Sequence, residues 1–350
     1  MRGPVTLTGD RAAAPSTGAL SAEVEPSTDP ASALALLRRH AAAFPLPGAG
    51  ATLTLWESLA TVASVSLTAA RAIEPHLDAL AILAEARSAG HETPDTTGGA
   101  TWGVFAAEGP GVRLAATDPA GDGVVRLHGT KPWCSLAGSL SHALVTAWES
   151  ETTRRLYAVA LGEANGVTVQ PAAWFARGLS AVESGPVTFE GAEAVPVGPA
   201  GWYLERPGFA WGAMGVAAIW YGGAVGVARR LTRGGREPDQ IALMHLGAVD
   251  ASLWAARATL AEAAAQVDEG RATGADGATL ALRARDVVAR AAEAVLEHVG
   301  HATGPAPLAL EDDHAGRVAD LQLYLRQEHA ERDEAALGRH LLDAGARPPW

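Results

Sequence analysis

Lys131 is the only lysine and Cys134 the only cysteine in a chain of 350 residues, and both fall in GTKPWCSLAG, residues 129 to 138. Of the 27 basic side chains one is this lysine and 26 are arginines, so a lysine here marks a local requirement. The cluster Lys131, Trp133, Cys134 and Ser135 offers four different chemistries. The ammonium can anchor a strand end by charge, the indole presents a rigid planar face and the hydroxyl donates or accepts. The thiol becomes a nucleophile only beside a cation that stabilises its thiolate; no cationic residue adjoins Cys134 in sequence, so it reads as a small buried filler.

Histidines are the other candidates. His329, in QEHAERDE, has a side chain able to titrate near neutral pH. The same run also reads as a solvated helix face held by i,i+4 pairs such as Glu328 with Arg332. His76, in AIEPHLDAL, reads first as a capped or buried structural histidine. HVGH at 298 to 301 puts two histidines three apart on a helix end without a third ligand, and no metal site is expected. There is no P-loop and no Gly-x-Ser-x-Gly elbow.

Composition limits the setting of this chemistry. A hydrophobic share of 48% with 19% charged residues describes a folded chain long enough for two or three packed units. A net charge of −12 without a basic run excludes a nucleic-acid partner. One cysteine excludes an internal disulfide, and the N-terminus lacks a signal-peptide core, so the expected location is cytoplasmic. GFAWGAMGVAAIWYGGAVGVA, residues 208 to 228, is long and apolar enough to cross a membrane. Its glycines and alanines read instead as a helix packed on all sides, and no membrane partner is expected.

The elements that must hold these groups follow from periodicity. Residues 31 to 87 repeat apolar positions at three and four, with a break expected near Pro75. From Thr101 to Trp202 the texture changes to short runs, TWGVFAA, GVVRLHG, SHALVTAW, RRLYAVALG, GVTVQP, GPVTFEG and AVPVGP, with turns at 121 to 123 and 162 to 166. After Pro207 the chain is helical again, over 239 to 269, 277 to 300 and 313 to 343. The expected division is a flexible arm at 1–30, a helical domain at 31–100, a β domain at 101–202 and a helical bundle at 203–345.

This order, with WGVFAAEGP at 102 to 110, GDGVVRLHGTKPWCSLAGSLSHALVTA at 121 to 147, PVTFEGAEAVPVGP at 186 to 199 and LGRHLL at 337 to 342, resembles the acyl-CoA dehydrogenase family over residues 31 to 345. The resemblance implies an α+β fold: a helical N-terminal domain, a central β-barrel or sandwich and a C-terminal four-helix bundle. It implies FAD as cofactor and a homodimer or homotetramer. It places Trp133 beside the isoalloxazine, Ser135 as donor to its N5 and O4 edge, and Arg326 and Gln327 against the flavin or its ribityl chain. Lys131 would anchor the strand end.

The same resemblance exposes departures. Ala107 stands where the family's threonine hydroxyl meets the flavin, Gly300 is what remains of a glycine pair, and REPDQIALMHLG only loosely matches the stretch that reaches a neighbouring subunit's cofactor. Tyr324-Leu325-Arg326-Gln327 occupies the place of Tyr-Glu-Gly-Thr, so a leucine replaces the glutamate that removes the substrate's α-proton; residues 208 to 228 carry no carboxylate either. Three readings follow. His329 acts as base in an oxidoreductase that transfers hydride from an acyl thioester or related carbonyl compound to flavin; or the flavin serves monooxygenation, reduced by a partner reductase; or the chain is an inert partner subunit.

Overall fold

The computed structural model describes residues 3–9, 13–96, 98–118, 124–170, 174–233 and 237–343. The expected turn at 121 to 123 lies outside the described residues. Contacts group the chain into two compact units: Met1–Arg71 with Ala176–Leu179 and Ala210–Trp350, and Ala72–Phe175 with Ser180–Phe209. The separate helical domain expected at 31–100 is therefore divided, its first helices grouping with the C-terminal ones.

The first unit is helical. α1 (Pro15–Glu23), α2 (Pro30–Arg39) and α3 (Thr52–Val65) open it. Of the flexible arm expected over 1–30, the described residues pack: Thr17 and Leu20 of α1 are buried, and the backbone amides of Val5 and Leu7 donate to Thr61 and Glu57 of α3, each at 2.9 Å. α4 (Leu67–Ser88) runs through Pro75 without the expected break. The chain breaks instead at Ser66, whose extended backbone and hydroxyl, accepting from the Ala69 amide at 3.2 Å, end α3 and start α4.

β1 (Trp102–Phe105), β2 (Leu114–Thr117), β3 (Val125–Lys131), β4 (His142–Trp148), β5 (Arg154–Ala160), β6 (Val167–Val169) and β7 (Val187–Val197) form one seven-stranded sheet. β4 pairs with β2, β2 with β3, β3 with β7, β7 with β5 and β5 with β4, so the ladder returns on itself as a small barrel with β1 and β6 alongside. GPVTFEG and AVPVGP are one strand, not two. Gly191, at φ +76°, supplies the extra residue of a bulge opposite Leu127 and His128 that lets β7 bend without ending. Leu144, Leu156, Trp102 and Val197 pack inward on Ala79, Ile82, Leu83 and Ala86 of α4 to make this unit's core.

α5 (Trp202–Glu205) leads into α6 (Pro207–Ala228), followed by α7 (Gln240–Asp268), α8 (Gly274–Thr303), α9 (Ala306–Leu310), α10 (Asp312–Tyr324) and α11 (Glu331–Asp343). α6 is the apolar segment singled out above, and two-thirds of its most apolar stretch is buried within the protein. Its glycines have a packing reason. A Cβ on Gly222 would lie 2.2 Å from the Ala60 carbonyl and one on Gly226 2.5 Å from that of Ser64, so only bare backbone lets α6 approach α3 this closely. The helix expected over 313 to 343 is two helices, parted by a 3-10 turn at Leu325–Gln327 and by Ala330 at φ +47°.

Candidate functional site

The cluster that opens the sequence analysis sits where β3 ends. Lys131, the last residue of β3, is 1% exposed, and its Nζ lies 2.5 Å from Glu108 Oε1 and 2.9 Å from Thr146 Oγ1. Glu108 also accepts from Arg154 at 3.2 Å and from the Trp148 indole at 3.3 Å. Burial works to raise its pKa, and the Lys131 ammonium outweighs that, holding the carboxyl below its ordinary value. The lysine thus ties the loop after β1, Ala106 to Pro110, to the ends of β3 and β4. Gly109 completes the contact, with room for a Cβ only at 3.1 Å from Pro132.

Beyond Pro132 the chain turns sharply, with Trp133 at φ +57° and Leu136 at φ +61°. The turn is docked on residues 183 to 185: the Cys134 amide donates to the Gly185 carbonyl at 2.9 Å and the Leu136 amide to that of Glu183 at 2.8 Å. A left-handed tryptophan held from both sides has its ring turned outward, and Trp133 is 61% exposed. Cys134 points inward. Burial pushes its thiol up to about 12, which keeps it protonated and unreactive, as its sequence context suggests.

Ser135 follows in the same turn, its hydroxyl 2.7 Å from that of Ser184, which also donates to the Val182 carbonyl at 3.1 Å. Ala107 is exposed in the loop after β1. It shares that loop with Glu108, so the Lys131 pair brings Ala107 to the same end of the barrel as Trp133. His76 is buried and accepts from the Trp102 amide at 3.2 Å, a structural role.

The remaining candidates belong to the helical unit. Leu325, where the resemblance calls for a glutamate, is buried, 1% exposed, at the start of the 3-10 turn. Arg326 is exposed and pairs with Glu293 of α8 at 2.5 Å, while the Gln327 carbonyl accepts from Arg285 at 2.9 Å. His329 is the wrong kind of group for a buried base. Its side chain is 67% exposed and lies 3.3 Å from Asp333, and the Asp333 carboxylate also accepts the His329 amide at 3.2 Å. Gly300 lies in the last turn of α8, with open space among the described residues where a Cβ would sit. His298 pairs with His245 of α7, Nδ1 to Nδ1, at 3.1 Å.

The residue that sequence reasoning missed is Glu328. It was expected to pair with Arg332 on a solvated helix, but it precedes α11, its side chain is 8% exposed, and it lies 3.2 Å from Arg285 of α8. Burial, opposed by Arg285 and reinforced by Asp333, pushes its pKa up to about 7. Arg285 is itself half-buried, its side chain 12% exposed, with its guanidinium 4.6 Å from the Trp220 ring. No sequence signal marks this; in the structure Glu328 is extended, at ψ 129°, and Ala330 sits at φ +47°, which together end the i,i+4 register.

Residues 200–316 match the family model for the acyl-CoA dehydrogenase C-terminal domain. No curated protein matches the chain. Among solved structures, KijD3 in complex with FMN and dTDP-3-amino-2,3,6-trideoxy-4-keto-3-methyl-D-glucose is 18% identical, covers 97% of this chain and 96% of its own, and has a TM-score of 0.77. FMN-bound TdsC of Paenibacillus sp. A11-2, a dibenzothiophene monooxygenase, is 19% identical over 95% of each chain with a TM-score of 0.73. Butyryl-CoA dehydrogenase of Megasphaera elsdenii is 18% identical over 83% of this chain and 82% of its own, with a TM-score of 0.70. The chain has the acyl-CoA dehydrogenase fold, with N-terminal helices, a small barrel and C-terminal helices, and its C-terminal part carries that family's domain.

Proposed function

We propose that the chain is a flavin-dependent oxidoreductase whose reaction needs no carboxylate base at the position of Leu325, and that this reaction is monooxygenation of a small organic substrate. The observation that carries the reading is the burial of Leu325 at the start of a turn whose exposed positions are Arg326 and Gln327, with the exposed His329 just beyond it. Proton abstraction by a positioned side chain contributes typically a factor of about 10² to 10⁴, and a buried leucine supplies none of it. The likeness to a dibenzothiophene monooxygenase over nearly the whole chain supports the same direction, and the FMN bound to KijD3 supports a flavin.

A flavin, when bound, supplies the two-electron redox chemistry. The outward-facing Trp133 fits the role of a shield over a planar ring, with Ala107 at the same end of the barrel. Ser135, two residues beyond Trp133, would offer its hydroxyl to a flavin. Both FMN and the FAD implied by the resemblance suit this set. Of the two oxygen atoms of O2, one would go to substrate and one to water, with electrons from a reduced flavin delivered by a separate reductase. A homo-oligomer belongs to this reading, supported by the exposed apolar face of α7 at Ile241, Leu243, Met244 and Trp254, as does a cytoplasmic location.

Dehydrogenation of an acyl thioester is the second reading, favoured by the C-terminal domain match. One experiment separates the two. The flavin-loaded protein is mixed anaerobically with a panel of acyl-CoAs, and separately its photoreduced form is exposed to oxygen. Monooxygenation predicts no bleaching by any thioester and rapid oxygen consumption by the reduced protein. Bleaching by a thioester would replace this reading with dehydrogenation, and protein that takes up neither FMN nor FAD would favour an inert subunit.

A further inference from the structure

Arg285 meets two separate pieces of the helical unit, α6 and the segment at 327 to 328. Its guanidinium donates to the Gln327 carbonyl at 2.9 Å and to the Ala213 carbonyl of α6 at 3.2 Å, lies 3.2 Å from the Glu328 carboxylate, and covers the ring of Trp220. The planar fork of arginine makes such a multiple attachment possible, where a lysine would offer a single point charge. Two of the contacts fall on consecutive residues of the segment that also displays Arg326. We propose that Arg285 is a positioning residue that fixes the 325–328 turn, and that Glu328 sets how firmly the turn is held. The inference rests on the flavin reading only in that Arg326 and Gln327 are the residues thereby presented.

Glu328 is the regulating half because its carboxylate is enclosed. Oε2 is buried and makes no well-aligned hydrogen bond, although it lies within ion-pair distance of Arg285. The charged groups facing it are Arg285 and Asp286 of α8 and Asp333 of α11, and Asp333 is in turn engaged by His329. Tyr324, at the end of α10, faces Arg285. Burial, aided by these two carboxylates and opposed by the single cation, makes the enclosed group favour its proton. The sign follows from linkage. A docked turn keeps that proton up to about pH 7, whereas a turn swung into water releases it at an ordinary carboxylate value. Docking is therefore firm under mildly acidic conditions and loosens as pH rises, by about tenfold in the opening equilibrium between about pH 6 and about pH 8.

Hydrogen exchange on the full chain without added flavin tests this, with rates over residues 325 to 330 corrected for the intrinsic effect of pH. Wild type should show roughly tenfold more opening near pH 8 than near pH 6. Glu328→Gln, which imitates the protonated form, should remain slow at both. Arg285→Met should open the segment at both, with Arg285→Lys intermediate, while the amides of β4 stay protected as in wild type. Coincident exchange of wild type and Glu328→Gln at both pH values would overturn the role of Glu328. Wild-type exchange in Arg285→Met would overturn that of Arg285. If Arg285→Met also exposes β4, it has failed to fold, and Arg285→Lys decides in its place, with exchange equal to wild type counting against the proposal. Binding of FMN by the same samples is scored separately, and its absence in wild type would sink the flavin reading without altering the exchange result.

Discussion

The Lys131 ammonium and the Glu108 carboxylate lie 2.5 Å apart, with the lysine sealed from solvent, and this one pair fastens the loop after β1 to the strand that delivers Trp133. In a chain that otherwise uses arginine, a slim unbranched cation suits the buried space between Glu108 and Thr146.

Replacing Lys131 by methionine should therefore lower stability by about 2 to 4 kcal/mol, because Glu108 loses its buried partner and keeps only Arg154 and the Trp148 indole. Chemical denaturation followed by circular dichroism measures it. The Glu108 pKa is depressed on folding, so its stabilising share is present above the ordinary carboxylate range and is lost as pH falls through it. The penalty in the variant should shrink below about pH 4. A penalty that does not depend on pH would mean that packing, not charge, is what the lysine contributes.

Glycine substitutions separate packing from ligand contact. Gly222→Ala should destabilise by more than about 2 kcal/mol, since its methyl would enter the Ala60 backbone, and Gly226→Ala should behave alike against Ser64. Gly300→Ala has open space and sits in a helix, so it should be neutral or stabilising by up to about 1 kcal/mol. If Gly300→Ala binds flavin more weakly despite that, the contact implied by the resemblance is real; unchanged affinity removes Gly300 from the site.

Much of this was legible in the chain and some was not. The period-two run at 125 to 131 announces β3, and the Gly-Glu-Ala-Asn-Gly stretch announces its turn, because both depend on local rules of pleat and backbone conformation. The tight Lys-Pro-Trp-Cys-Ser corner stands out by residue type alone. What could not be read is set by distant partners. The unbroken β7 depends on tertiary pairing with β3 and β5. So does the change of Glu328 from a solvated residue to a buried one, since its partner Arg285 is 43 positions away in the sequence. The Ser135 hydroxyl lies 2.7 Å from that of Ser184, which no spacing rule connects to it.

Cys134 should resist alkylation. With its thiol held at about 12 by burial, iodoacetamide should label native protein near neutral pH by less than about one part in a hundred of the rate for an exposed thiol, and label it fully once unfolded. Fast native labelling would show that the 132 to 136 turn opens readily.

His329→Ala should leave turnover within about twofold of wild type, since the imidazole faces solvent and is bound to Asp333. Loss of substrate-driven flavin reduction with the cofactor still bound would reinstate His329 as the base and with it the dehydrogenase reading.

The most direct test of the flavin reading is to titrate purified wild-type and Trp133→Ala protein with FMN and with FAD, following visible absorbance and tryptophan fluorescence. Trp133 is exposed, so its loss should leave the fold intact. The account predicts saturable binding of at least one flavin by wild type with a shifted spectrum, and affinity weaker by about tenfold with the shift lost in the variant. No binding by wild type, or identical affinity and spectra in the two proteins, would contradict it.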